Sequence, residues 1–452
     1  MTAVAGPVGT RFAAEAARPR EDARFLTGRS RFVADIQRPG LLHAAFVRSP
    51  LPHARITGID ATAALATSGV VAVLTAADFA HVPPLPISWL LPEAAGTAPE
   101  QRVLAGEIVR YAGEPVAVVI ADDEYLAADA ALGVHVAYEP LPAVTDARAA
   151  HASDAPQLHA NVPRNVSFER DAGPGDTQAI EAGAEVVVSA TIRNQRVAAA
   201  PIEPRAVLAE HDPATDHTTL VTSTQGPHNL RTQIAAMTGL PEHRLRVVAP
   251  DVGGGFGAKL PLYREDVVLT LAARRLGTAV RWVETRSEAF AAMTHGRDHV
   301  QDVTVAATRE GVILSLRVDC YANLGAYLSS MGQGVPGINY ALMIGGNYRV
   351  PSLSVRIRGM LTNTTPVDTY RGAGRPEATF MSERMIELVA EATGVDPIEV
   401  RRRNFLTEFP TPNATGLMMY DSGDYDGALD KLLQELDLPR ERARQRRLRA
   451  EG

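Results

Sequence analysis

At 452 residues the chain is long enough for two or three domains and a sizeable buried core. A formal charge of −7, with 46% hydrophobic and 21% charged residues, is ordinary for a globular protein and argues against general affinity for nucleic acid or anionic membrane. The lone cysteine, Cys320, excludes an iron–sulfur cluster, a cysteine-rich zinc site or an internal disulfide within the chain, and fits a reducing compartment. No apolar run is long enough to span a bilayer, and the first residues show neither an apolar signal core nor a twin arginine. The expectation is a cytoplasmic protein, with any targeting signal carried by a partner.

Residues 1–20 are Ala-rich and read as a flexible N-terminus. A first compact unit spans 21–150. Its continuous apolar run 116–120, just after Pro115, predicts a buried strand. Helical composition over 124–133 and a strand over 134–138 follow, an order that suggests a small α/β domain. Residues 151–175 are polar, with Pro and Asn, and read as a linker. The second unit takes 176–452. Strands are expected at 185–193, 206–210 and 218–223, then a helix over 229–238 closed by Gly239. A strand at 245–249, a helix over 264–275 closed by Gly277, and long strands at 300–307 and 312–321 come next. Met381, Met385, Ile386, Val389 and Ala390 recur at helical spacing, with Gly394 as the stop. Asp396-Pro397 reads as the cap and first residue of another helix. The basic run 440–449 reads as a solvated helix. There is no internal repeat, and the fold class is α+β with mixed α/β layers.

Three stretches can carry chemistry. At 251–259 stands Asp-Val-Gly-Gly-Gly-Phe-Gly-Ala-Lys, where glycines let main-chain N–H groups approach a ligand and form an anion nest. A structural turn explains the run equally well. Gly253, Gly255 and Ala258 also satisfy a relaxed dinucleotide fingerprint, which would make a nicotinamide-dependent dehydrogenase. Against that, Pro261 intervenes before the next helix, whose N-terminus has to open on the loop to hold a pyrophosphate. At 369–377, Arg371 and Arg375 flank Gly372-Ala373-Gly374; arginine suits planar anions and heterocycles, although spacing alone favours a turn with two surface arginines. At 223–228, Gln225 beside Gly226 can donate to an oxo group or phosphate, or simply form a turn. Glu203 and Arg205 lie between prolines, as in a structural corner. His228 and His243 lack metal-ligand spacing, and Asp122-Asp123-Glu124 reads as a loop and helix start.

Taken in order, these stretches resemble the molybdenum-binding large subunit of the xanthine dehydrogenase, aldehyde oxidase and carbon monoxide dehydrogenase family. Residues 24–29 and 113–118 look like its α/β hammerhead domain. Residues 202–205, 253–257 and 370–375 look like its first molybdopterin-binding domain. The resemblance implies a bound molybdopterin, in the cytosine dinucleotide form, that holds the molybdenum through its own dithiolene, so no residue here ligates the metal. Gln225 and Gly226, Gly255 to Gly257 with Phe256 between them, and Arg371 to Gly374 through Ala373 would line it. Gln225 would hydrogen-bond an oxo ligand, Gly257 would offer its N–H, and Arg371 would contact substrate or developing negative charge. The implied reaction is oxidative hydroxylation of a small molecule, with water as oxygen source and electrons leaving through iron–sulfur and FAD subunits.

Three departures refine this. Copper-bearing carbon monoxide dehydrogenases have a cysteine where Gly372 stands, and purine-oxidising members have a glutamate where Leu260 follows Lys259. An aldehyde or an N-heteroaromatic substrate therefore fits better. Family members also continue into a second molybdopterin-binding domain that carries the catalytic glutamate. The chain is then a split subunit, a truncated product or a fragment, and the expectation is a half-subunit that is inactive until a second polypeptide completes it, or else a non-catalytic remnant.

Overall fold

A computed structural model describes residues 20–173 and 175–452. The expected N-terminal tail, 1–20, lies but for Arg20 outside the described residues. The largest element is a seven-stranded sheet. Its strands run in the order Leu245–Val248, His217–Thr222, Ala206–Asp212, Val280–Val283, Leu42–Arg48, Pro115–Ala121 and Val70–Thr75. Every residue of Pro115–Ala121 is buried, which is why its sequence is an unbroken apolar run. Leu42–Arg48 instead alternates buried and half-buried positions. It pairs in parallel with Val280–Val283 through Leu42–Val280 and His43–Arg281. The sheet thus joins strands from residues 42–121 with strands from residues 206–283.

A second, five-stranded sheet runs Val166–Ala172, Ser352–Leu361, Ile313–Gly325, His299–Ala307, Val186–Asn194. Helix Arg375–Thr393 packs on it through Ala378, Met381, Met385, Ile386, Val389 and Ala390, all buried in one core. This corrects the reading of 151–175 as a linker. Val166–Ala172 is an edge strand paired with Ser352–Leu361, and Phe168 lies in the core. Only Glu169 and Asp171 are exposed, while Ser167 is buried beside Phe168 and Arg170 is half-buried, so polar composition hid an element of the sheet.

Local signals hold where they are local. Asp123 caps helix Glu124–Leu132 by accepting from the Tyr125 and Leu126 N–H groups, and Asp396 caps Pro397–Asn404 through Ile398 N–H. Gly239, Gly277 and Gly394 each end a helix in the left-handed conformation. The basic run lies in helix Leu438–Glu451, which has no buried residue. Among the described residues, no helix is long and apolar enough to cross a membrane, and no cluster of three His, Cys, Asp or Glu is placed to hold a metal ion.

A buried ionic network locks the seven-stranded sheet to helix Arg264–Leu276. Arg205 reaches Glu284 and Glu265 at 3.0 Å, and Arg48 reaches Glu265 at 2.8 Å and Glu288 at 2.9 Å. Burial alone would raise the Glu265 carboxyl, but Arg205 and Arg48 hold it down at about 2. The neighbouring Asp266 behaves oppositely. Burial pushes it up to about 6, although it accepts from Tyr263 N–H and the Thr222 hydroxyl. A folded-state value above the unfolded one means that stability is full below the unfolded pKa and is lost as pH rises through about 6. Asp266→Asn removes the charge, with its one oxygen accepting from Tyr263 N–H and its NH₂ donating to the Thr222 hydroxyl, which reverses that bond. The variant's unfolding free energy is therefore expected to match wild type near pH 4 and to exceed it at pH 8, by on the order of 2–3 kcal/mol. Calorimetry across that range checks this, and an Asn variant that is less stable at pH 8 would refute it.

Candidate active site

The glycine loop leaves the edge strand Leu245–Val248 and is tied down at both ends. Asp251 accepts from the Arg24 guanidinium and from Arg31 N–H at 2.7 Å. Glu203 Oε2 accepts from Gly253 N–H at 2.7 Å and from the Lys259 ammonium at 2.8 Å, while Glu203 N–H donates back to the Gly253 carbonyl. The Lys259 side chain is fully buried; burial lowers its pKa and Glu203 opposes that shift. Sequence reasoning saw a structural corner at Glu203, and the corner proves to be the anchor of the glycine loop.

Between these ties the loop turns through left-handed backbone at Gly254, Phe256 and Gly257, with φ of 94°, 55° and 102°. A β-carbon on Gly257 would stand 2.7 Å from the Thr369 carbonyl oxygen, so only glycine fits. Phe256, a bulky residue in the same region, is strained unless held. Its carbonyl accepts from Arg371 N–H at 2.8 Å, and the Arg371 guanidinium sits 4.5 Å from its ring centroid.

Gln225 follows strand His217–Thr222 and pairs its own N–H with the Lys259 carbonyl at 2.9 Å. Its Oε1 accepts from Gly257 N–H at 2.9 Å and from Lys259 N–H at 3.3 Å. That fixes the amide orientation and leaves the exposed Nε2 donors with no partner among the described residues. The Gly257 N–H, which the resemblance assigns to the metal's surroundings, is here spent on Gln225. Gly226 caps helix Pro227–Thr238, and Gly255 lies against the Gln225 side chain.

The arginine loop joins strand Ser352–Leu361 to helix Arg375–Thr393. Thr369 Oγ1 donates to the Gly257 carbonyl at 3.1 Å and Ala373 N–H to the Tyr370 carbonyl at 2.7 Å. Arg371 and Gly372 are exposed, Ala373 half-buried. Gly374 is buried against the Tyr340 backbone, so it faces the protein. The three sequence stretches therefore converge. An amide NH₂ and a guanidinium, both exposed, bracket Phe256-Gly257, and glycine at 257 and 372 keeps side chains out. That donor set suits a group rich in oxo or anionic oxygens.

The dinucleotide alternative does not survive this geometry. The following helix opens at Arg264, beyond Pro261, and its first turn carries the buried carboxylates Glu265 and Asp266. A pyrophosphate has no helix N-terminus to rest on there.

Residues 158–405 match the molybdopterin cofactor-binding domain family, and residues 27–142 match the a/b hammerhead domain of aldehyde oxidase and xanthine dehydrogenase. The chain is 39% identical over 449 residues to the carbon monoxide dehydrogenase large chain of Hydrogenophaga pseudoflava, covering 96% of this chain and 55% of that one. Quinoline 2-oxidoreductase from Pseudomonas putida 86 superposes with a TM-score of 0.90 at 35% identity, over 96% of this chain and 55% of that chain. The chain thus spans about half the length of these relatives. A shorter relative, the nicotinate dehydrogenase large molybdopterin subunit of Eubacterium barkeri, is 29% identical over 83% of this chain and 85% of its own length. Family match and site geometry agree: the chain belongs to the molybdopterin-binding large subunits of the xanthine dehydrogenase, aldehyde oxidase and carbon monoxide dehydrogenase family.

Proposed function

We propose that this chain is the first half of a catalytic large subunit that hydroxylates an aldehyde or an N-heteroaromatic substrate. The observation that carries the reading is the clamped Gln225: two main-chain N–H groups hold its carbonyl, so its NH₂ is left free at the Phe256-Gly257 turn on whose ring Arg371 rests. When bound, the molybdenum–pterin group supplies the oxidation chemistry that carries oxygen from water into substrate. The chain's own residues orient and stabilise. Gln225 Nε2 donates to the group's oxygen, Phe256 and Gly257 form a wall that admits no further side chain, and Arg371 offers its fork of N–H donors to substrate oxygen or nitrogen as negative charge develops.

Carbon monoxide is disfavoured because Gly372 carries no thiol and the chain's one cysteine is buried in strand Ile313–Gly325. Purines are disfavoured because Leu260 stands where a carboxylate is wanted. The proposal includes the cytosine dinucleotide form of the pterin, a cytoplasmic location, and iron–sulfur and FAD subunits as electron acceptors. It also includes a second polypeptide that supplies the rest of the pocket and the carboxylate base. By this reading the hammerhead unit is 21–150, and the cofactor-binding unit takes in strand Val166–Ala172 as well as 176–452.

The test is a reconstituted complex assayed by dye reduction across aldehydes and N-heterocycles. Arg371→Met is expected to lower kcat/KM about 10²-fold, a loss of about 3 kcal/mol in transition-state stabilisation, as for an oxyanion donor. Gln225→Ala is expected to lower turnover and alter the molybdenum centre's spectrum. Two variants indistinguishable from wild type would return both residues to ordinary turns.

A further inference from the structure

The turn before strand His299–Ala307 carries two consecutive non-glycine residues in left-handed backbone, Arg297 at φ 66° and Asp298 at φ 69°. Such a pair persists only where its surroundings over-determine it. Asp298 is pinned twice: its carboxylate accepts from Arg196 Nε at 2.8 Å, and its carbonyl accepts from Asn323 N–H at 3.0 Å. Arg297 reaches the arginine loop. Its Nη2 donates to the Arg371 carbonyl at 2.9 Å, and its Nη1 donates to Glu377 Oε1 at 3.3 Å. The guanidinium also lies 4.8 Å from the Tyr370 ring centroid. Glu377 is fully buried in the first turn of helix Arg375–Thr393, and its Oε2 has no partner among the described residues.

The loop that Arg297 grips has no favourable local conformation of its own. Gly372, Ala373 and Gly374 take φ of 98°, 38° and 88°, three left-handed residues in a row. Only a few main-chain bonds cross it, and Arg371 itself is exposed. Something outside the loop has to hold its carbonyls in place.

We propose that Arg297 is a positioning residue: it sets the placement of Arg371 by forking between the Arg371 carbonyl and the buried Glu377 carboxylate. The fork is the point. A planar guanidinium satisfies two acceptors in fixed directions, whereas a lysine ammonium at the same place supplies the charge without that geometry. The effect on turnover rests on the reading of Arg371 given above; the effect on the loop does not.

The full chain is examined by hydrogen exchange, comparing the Arg371 and Ala373 amides with the Val303 amide in the sheet. In Arg297→Lys, which keeps a cation beside Glu377, the melting temperature and Val303 protection are expected to stay near wild type. The two loop amides are expected to exchange about tenfold faster or more. Wild-type loop protection in that variant would overturn the proposal, because charge alone would then suffice. If Arg297→Lys does not fold, the neutral pair Arg297→Met with Glu377→Met removes both buried charges at once. The same loop loosening is expected there, and a protected loop again overturns the claim. In a reconstituted complex, Arg297→Lys is expected to lower kcat/KM about tenfold at unchanged molybdenum content, and to add nothing to Arg371→Met. Turnover unaffected by Arg371→Met would remove the functional reading, while the exchange result would still decide the role of Arg297.

Discussion

Expressed without a partner, the chain is expected to purify essentially free of molybdenum and to reduce no dye with any aldehyde or N-heterocycle. The reason is the openness of the site. Gln225, Arg371 and Gly372 are exposed, and no element among the described residues covers them. Ile202, next to the anchoring Glu203, is 93% exposed, and Phe380, on the helix that follows the arginine loop, is also exposed. Exposed apolar side chains on the segments that flank the site favour association with another surface. The chain covers 55% of the carbon monoxide dehydrogenase large chain of Hydrogenophaga pseudoflava. A carboxylate base is wanted as well, and general-base catalysis is typically worth about 10²–10⁴-fold. No carboxylate among the site residues described above fills that role; Glu203 is committed to Lys259 and Gly253, and Glu377 to Arg297. Co-expression with a polypeptide supplying the second half, plus iron–sulfur and FAD subunits, is expected to restore metal and turnover together. Elemental analysis and the substrate panel read both. Stoichiometric molybdenum and turnover from the lone chain would defeat the claim. A complex that stays metal-free in every combination would favour the non-catalytic remnant.

Gly257→Val is expected to abolish molybdenum loading in the reconstituted complex. Two costs act at this position. A side chain is strained at φ of 102°, on the order of 1–3 kcal/mol, and its Cβ meets the Thr369 carbonyl oxygen at 2.7 Å. Relief requires the glycine and arginine loops to part, which breaks the Thr369–Gly257 hydrogen bond and shifts Arg371 off Phe256. Gly239→Ala is the control. Gly239 is left-handed too, at φ of 72°, but an added Cβ meets nothing within 4 Å. That variant is expected to lose about 1 kcal/mol of stability with loading and turnover intact. Full activity and normal metal content in Gly257→Val would remove the site assignment, whatever the control does.

Much of the fold was legible in the residues themselves. The buried strand Pro115–Ala121, the helix ends at Gly239, Gly277 and Gly394, and the caps at Asp123 and Asp396 are settled within a few residues. Strand Val166–Ala172 was not legible, because its Ser, Glu, Arg and Asp give it a polar composition that resembles a linker. Strands Leu42–Arg48 and Ser352–Leu361 escaped for a related reason: short alternation is a weak signal until a neighbouring strand completes it. In the site, glycine runs and flanking arginines marked Gly253 to Gly257 and Arg371 to Gly374 as candidates. Nothing in their spacing pointed to Glu203 or Arg297 as the residues that hold them.

The sequence by itself determined which residue types could serve, since glycine conformations, caps and apolar periodicity are properties of neighbours along the chain. Only the tertiary structure decided which of them meet. Residues 225, 257 and 371 come together because separate sheets and helices set their distances, and the direction of the Gln225 amide follows from two N–H groups more than thirty residues away. Left-handed backbone at Phe256, Arg297 and Ala373 is likewise a tertiary decision. It is locally unfavourable for each residue, and long-range hydrogen bonds and buried ion pairs are what outweigh that preference.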